Sequence, residues 1–189
     1  MKIKPVRRGV NSRIALLCGS LLLCALSSFA QSYDDHAIYL TLPEVALVDI
    51  EPDLQTVVLN LNTVTEAGAP ITSVSDNSKW INYSSAIGGG GAYRDVTVQL
   101  QGGEVPPGLQ LALNVGPAVG GDGALGQIGG GFVTLSGSPV YVIKQIRGAY
   151  TGDGANHGHQ LTYRLKITNL QTVSVGSTNL SVLYTLVDM

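Results

Sequence analysis

The residues best equipped for chemistry lie in one stretch, "AYTGDGANHGHQLTYRLKI", residues 149–167. Asp153, Asn156, His157 and His159 bring a carboxylate, an amide and two imidazoles close together. On an extended segment His157 and His159 fall on the same face. With Asp153 folded back they would form a weak Zn²⁺ or Ni²⁺ set, with Ca²⁺ as the hard-cation option. One carboxylate is little charge for a hard cation, and "DGANHGH" lacks the alternating acids and closing Glu of a Ca²⁺ loop. If a metal binds, Asp153, His157 and His159 are its expected ligands; no other cofactor is implied. The same residues also describe a long turn entering a strand. Gly152, Gly154 and Gly158 can take positive φ, and Asp153 and Asn156 are turn-capping types.

Three further groups of residues could carry chemistry. "KWINYSSA" holds the chain's one Trp. In a strand Trp80 and Asn82 share one face, Ile81 and Tyr83 the other. Trp80 and Tyr83 are the candidate contacts for a sugar ring, with burial in the core as the competing role. Glu44, Asp49, Glu51 and Asp53 cluster near the start of the domain. Acid chemistry on a glycoside needs a carboxylate pair across a cleft; charges on an edge strand also serve to block edge-to-edge pairing. Nucleophilic hydrolysis lacks its signature. No GxSxG elbow is present, and "GGGG" at 88–91 has no Lys-Ser/Thr behind it to make a phosphate loop. The expected class is non-enzymatic.

The elements that must position these residues are strands. "HQLTYRLKIT" alternates Leu161, Tyr163, Leu165 and Ile167 with Gln160, Thr162, Arg164, Lys166 and Thr168, which is a half-buried antiparallel strand. "DVTVQLQ", "GLQLALNV" and "NLSVLYTLVDM" repeat the pattern, and the last has apolar residues on both faces. Further strands are expected at 37–42, 44–50, 55–62, 79–86, 131–137 and 139–146. "ALGQI", inside the Gly-rich segment 116–131, is either a short edge strand or a loop. Gly, Pro, Asn, Asp and Ser clusters divide the segments, as in a sandwich or barrel. No helical periodicity extends beyond two turns.

The N-terminus reads differently. "MKIKPVRRGVNSR" carries five basic residues and no acid, and an apolar run from Ile14 to Leu26 follows, then Ser28 and Ala30. That order describes a secretory signal peptide, with cleavage expected after Ala30. The run is shorter than the roughly 20 residues that cross a bilayer. Cys18 and Cys24 would leave with it, so the mature chain has no disulfide and no thiol. Its charge becomes six basic minus thirteen acidic residues, or −7. That balance excludes nucleic acid and anionic lipid as partners. The expected organisation is a signal peptide over 1–30, a flexible mature start over 31–36 and one β-sandwich domain over 37–189.

Two quoted ends carry a resemblance. "AIYLTLPEVALVDIE" is an apolar alternating segment near the mature start, and "GSTNLSVLYTLVDM" ends the chain on an alternating strand. Gly176 stands fourteen residues from the end, counting Met189. Together with the signal sequence and the acidic, cysteine-free domain, these resemble bacterial fimbrial or pilin-like surface subunits. Asp188 occupies the place where chaperone–usher pilins usually carry a Tyr; Tyr184 lies farther in. The resemblance implies an all-β fold: a single antiparallel sandwich of immunoglobulin-like type, with about eight to ten short strands. It implies an exported structural or adhesive subunit, periplasmic, at the cell surface or extracellular. Such a subunit would associate with itself or with other surface subunits by β-strand addition. The alternative reading is a carbohydrate- or metal-binding module, with a surface glycan as partner.

Overall fold

Alternation of apolar and polar residues produces nine strands in the computed structural model, which describes residues 33–189. They are β1 (Val45–Glu51), β2 (Val74–Ala86), β3 (Arg94–Gln101), β4 (Leu109–Val119) and β5 (Asp122–Ile128). β6 (Val133–Thr134), β7 (Val140–Tyr150), β8 (Gly158–Ile167) and β9 (Ser181–Asp188) follow. One short 3₁₀ turn, Leu170–Thr172, is the sole helical element among the described residues. None of the described helices is long and apolar enough to cross a membrane. The expected signal peptide, with Cys18 and Cys24, lies outside the described residues. The chain divides into two units, Met1–Thr41 and Leu42–Met189. The described part of the first, residues 33–41, contains no strand or helix.

All pairings are antiparallel and join the nine strands in one hydrogen-bonded sheet, in the order β6-β4-β8-β2-β7-β3-β9. β1 pairs with β2 and β5 with β7, off that path. β2 is the pivot. One of its edges carries β1 along Trp80 to Ala86. The rest of its pairing goes first to β8, then at Ser84 and Ser85 to the end of β7. That two-residue ladder joins the β4–β8–β2 part of the sheet to the β7–β3–β9 part.

Side chains from both parts meet in one core. Ile81 and Tyr83 of β2, Leu113 of β4 and Leu161 of β8 pack with Val96 and Val98 of β3 and Ile143 and Ile146 of β7. In β8 the alternation read in the sequence is the alternation of burial, whereas β3 and the middles of β2 and β4 are covered on both faces: Asp95, Thr97, Asn82 and Ala112 are buried beside the apolar positions. Tyr163 of β8 and Tyr184 of β9 touch hydroxyl to hydroxyl at 2.7 Å. Burial raises both phenols, that of Tyr184 well above its usual range.

Two expected strands do not form. Residues 55–62 keep their alternation: Val57 and Leu59 pack on the core while Leu54 and Val58 face outward. Yet no strand pairs with them among the described residues, so period two reports side-chain burial here and not a ladder. Residues 37–42 have neither: Tyr39 is 92% and Leu40 86% exposed. The segment 131–137 contracts to Val133–Thr134, although Leu135 stays buried and donates its N–H to the Leu111 carbonyl. "ALGQI" proves to be part of strand β5.

β5 lies so close to β7 that a side chain has no room. At Gly123, with φ +88°, a Cβ would stand on the carbonyl oxygen of Gly148. Gly123→Ala must both strain the left-handed backbone and part the two strands, so it should cost more than the 1–2 kcal/mol of the conformation alone. Gly129→Ala, in open space without positive φ, should stay within about 0.5 kcal/mol. Urea unfolding of both variants beside the parent checks the contrast.

Candidate functional site

The loop between β7 and β8 is built from its anchors inward. Thr151, fully buried, is stitched to β2: its N–H donates to the Tyr83 carbonyl at 3.0 Å, and its Oγ1 accepts from the Tyr83 N–H at 2.9 Å. Asn82 Nδ2 donates to the Gly154 carbonyl at 2.9 Å. Gly152, Gly154 and Gly158 all take positive φ, as the turn reading requires, and Asn156 joins them at +66°. At Gly158 a Cβ would collide with the Ile81 carbonyl and Asn82 Oδ1.

That left-handed residue separates the two histidines. His157 stays outside, its ring beside Gly120 and Gly152. His159 turns inward and is 2% exposed. Its Nδ1 donates to the Gly116 carbonyl at 2.8 Å, presented by an irregularity in β4 between Val115 and Ala118. Its Nε2 lies 3.0 Å from the Tyr83 hydroxyl, which also donates to the Leu125 carbonyl. Asp153 is exposed. The expected metal set of Asp153, His157 and His159 is therefore not assembled, because Gly158 breaks the extended geometry that would have aligned the imidazoles. Among the described residues no three His, Cys, Asp or Glu side chains are grouped to hold a Zn²⁺ or Ca²⁺ ion.

The aromatic pair is likewise divided. Tyr83 is 3% exposed, stacks on His159 with ring centroids 5.8 Å apart, and spends its hydroxyl inside. It offers no face to a sugar. Trp80, half-buried, sits on the opposite face of β2 between Glu51 and Gln160.

The carboxylates have structural partners. Glu44 pairs with Arg94 at 2.5 Å, and Asp53 with buried Lys79 at 2.5 Å. The Lys79 hydrogen bond, helped by the Gln55 N–H, holds the Asp53 carboxyl below its usual range. Asp49 accepts from the Ile50 N–H. Arg94 is the centre that sequence reading missed. It is 1% exposed, and its guanidinium reaches Asp188, Glu44, Ser85 Oγ and the carbonyls of Val45 and Ala86. A signal existed: Arg94 shares the inward parity of Val96, Val98 and Leu100, and Lys79 that of Ile81 and Tyr83.

Four strands, β1, β5, β6 and β9, pair with one neighbour each. Within Leu42–Met189, β9 pairs with β3 alone and β1 with β2 alone, leaving one backbone edge of each without a strand partner.

Comparison with protein-family models, curated proteins and solved structures finds no significant match. The chemistry must be read from this chain itself.

One titration follows from the geometry. Burial lowers the His159 pKa, partly offset by the Gly116 and Leu125 carbonyls. The fold thus favours neutral imidazole. Its contribution is complete above the unfolded value of about 6.5 and is lost as pH falls below it, because the unfolded chain takes the proton first. Melting temperature should drop between pH 7.5 and 5, and His159→Gln should flatten that slope. Equal slopes in the two proteins would remove His159 as the cause.

Proposed function

We propose that this chain is a non-enzymatic, exported structural or adhesive surface subunit of the fimbrial type, assembling by β-strand addition. The observation that carries the reading is a pairing of opposites in one chain. Residues 37–42, "AIYLTL", are apolar, alternating and exposed, with no strand partner among the described residues. The edges of β9 and β1 are strands without a second neighbour. An extended segment added to such an edge gains main-chain hydrogen bonds, and its alternate side chains gain pockets. An exposed apolar segment of this kind is a liability unless something covers it.

The fate of the titratable groups supports the non-enzymatic part. His159, Asp53, Glu44 and Asp188 are bound to partners that hold the fold together. An immunoglobulin-like sandwich agrees with a core drawn from both parts of the sheet. Export rests on the basic and apolar N-terminal sequence.

Deleting residues 31–42 should abolish self-association of the purified protein while leaving its β-sheet circular dichroism and cooperative unfolding intact. Light scattering and electron microscopy of the full and shortened chains provide the readout. A shortened chain that still assembles, or one that no longer folds, contradicts the proposal.

A further inference from the structure

A second surface, independent of the strand-addition reading, is built on the outer side of β2. Antiparallel register sets Leu47 and Asp49 of β1 opposite Ser84 and Asn82. On the other edge of β2 it sets Tyr150 opposite Ser84. Directly opposed residues share a face. Leu47, Ser84 and Tyr150 therefore form a row across three strands. Asp49 and Asn82 form the next row, continued by Asp153 from the loop. These residues line an open groove of about 600 Å³.

The dimensions suit a ring. Strands about 4.8 Å apart place the outer members of the row roughly 10 Å from each other. A ring in van der Waals contact with both sides needs roughly 7–8 Å. Ser84 supplies a low floor, while Leu47 and Tyr150 stand 66% and 56% exposed as walls. The walls are held before any ligand arrives. Thr151, next to Tyr150, is bonded to β2, and Asn82 ties the loop that carries Asp153 through the Gly154 carbonyl.

Charge narrows the ligand. The lining contains two carboxylates and no Lys, Arg or His. An anion is repelled. A purely apolar molecule would cover the carboxylates without pairing them, which is costly. The ligand must bring hydrogen-bond donors as well as an apolar face. A basic side chain could satisfy one carboxylate but would leave the slot between Leu47 and Tyr150 unfilled. A sugar ring presents both: C–H groups against Tyr150 and hydroxyls toward Asp49 and Asp153. The geometry points to a binding site for a neutral saccharide in this groove, with Tyr150 as its stacking platform.

The test is an array of neutral gluco-, manno- and galacto-configured oligosaccharides probed with the full chain, followed by calorimetry on any sugar retained. At least one should bind. Tyr150→Ala should weaken it about tenfold or more, and Ser84→Tyr, which fills the slot, should abolish binding. Both variants should keep the parent's circular dichroism. Absence of binding across the array overturns the proposal, as does binding that survives both substitutions. A lysine-rich peptide that binds the parent where no saccharide does reassigns the groove to a basic partner and also overturns it.

Discussion

The buried guanidinium of Arg94 is the constraint on which the arrangement of the chain depends. A cation taken out of water costs several kcal/mol unless its protons are met. Here five acceptors from three segments meet them. Val45 belongs to β1, Ser85 and Ala86 to β2, and Asp188 to β9, while Glu44 precedes β1. The first strand, the last strand and the pivot strand are thus held to β3 at one point. β1 and β9 are two of the four strands that pair with one neighbour. Arg94 therefore fixes the two edges to which the proposal adds another chain. Its two carboxylate partners are largely exposed, whereas the guanidinium is not. Its removal would take a charged donor from the half-buried Val45 and Ala86 carbonyls as well as from the two carboxylates.

The Tyr83–His159 pair plays a comparable part in the middle of the fold. It links β2 and β8 to the carbonyls of Gly116 and Leu125, on β4 and β5. The Tyr83 hydroxyl has one proton and two acceptors within reach when His159 is neutral. That network leaves neither side chain free for a ligand. The loop it supports is nevertheless what carries Asp153 to the groove beside Tyr150. The most histidine-rich stretch of the sequence is thus a scaffold, and the ligand-facing residues are its less conspicuous neighbours.

Much of this architecture was legible in the residues. The all-β class, the alternation of Leu161 and Tyr163 with Gln160 and Thr162, and the positive φ of Gly152, Gly154 and Gly158 follow from period two and turn chemistry. Residues 55–62 show what period two leaves open. Their alternation marks burial of Val57 and Leu59, but pairing needs a neighbour, and sequence periodicity says nothing of neighbours. The metal set is not grouped for a local reason, since one left-handed glycine stands between an exposed His157 and an inward His159. Trp80 and Tyr83 are separated for another: opposite parity put them on opposite faces, and the same parity put Tyr83 in the core. Parity also pointed to Arg94 and Lys79 as buried cations, a sign hidden by the habit of assigning charge to the wet face. Tyr150 became a candidate only when register placed it across Ser84 from Leu47.

The central claim is that residues 37–42 acquire strand partners from another copy of the chain. Site-resolved amide hydrogen exchange on dilute and on concentrated, assembled protein measures this directly. The account predicts fast exchange at residues 37–42 in dilute solution, and marked slowing on assembly together with the outer-edge amides of β9 or β1. Assembled protein in which residues 37–42 still exchange as open backbone would contradict it.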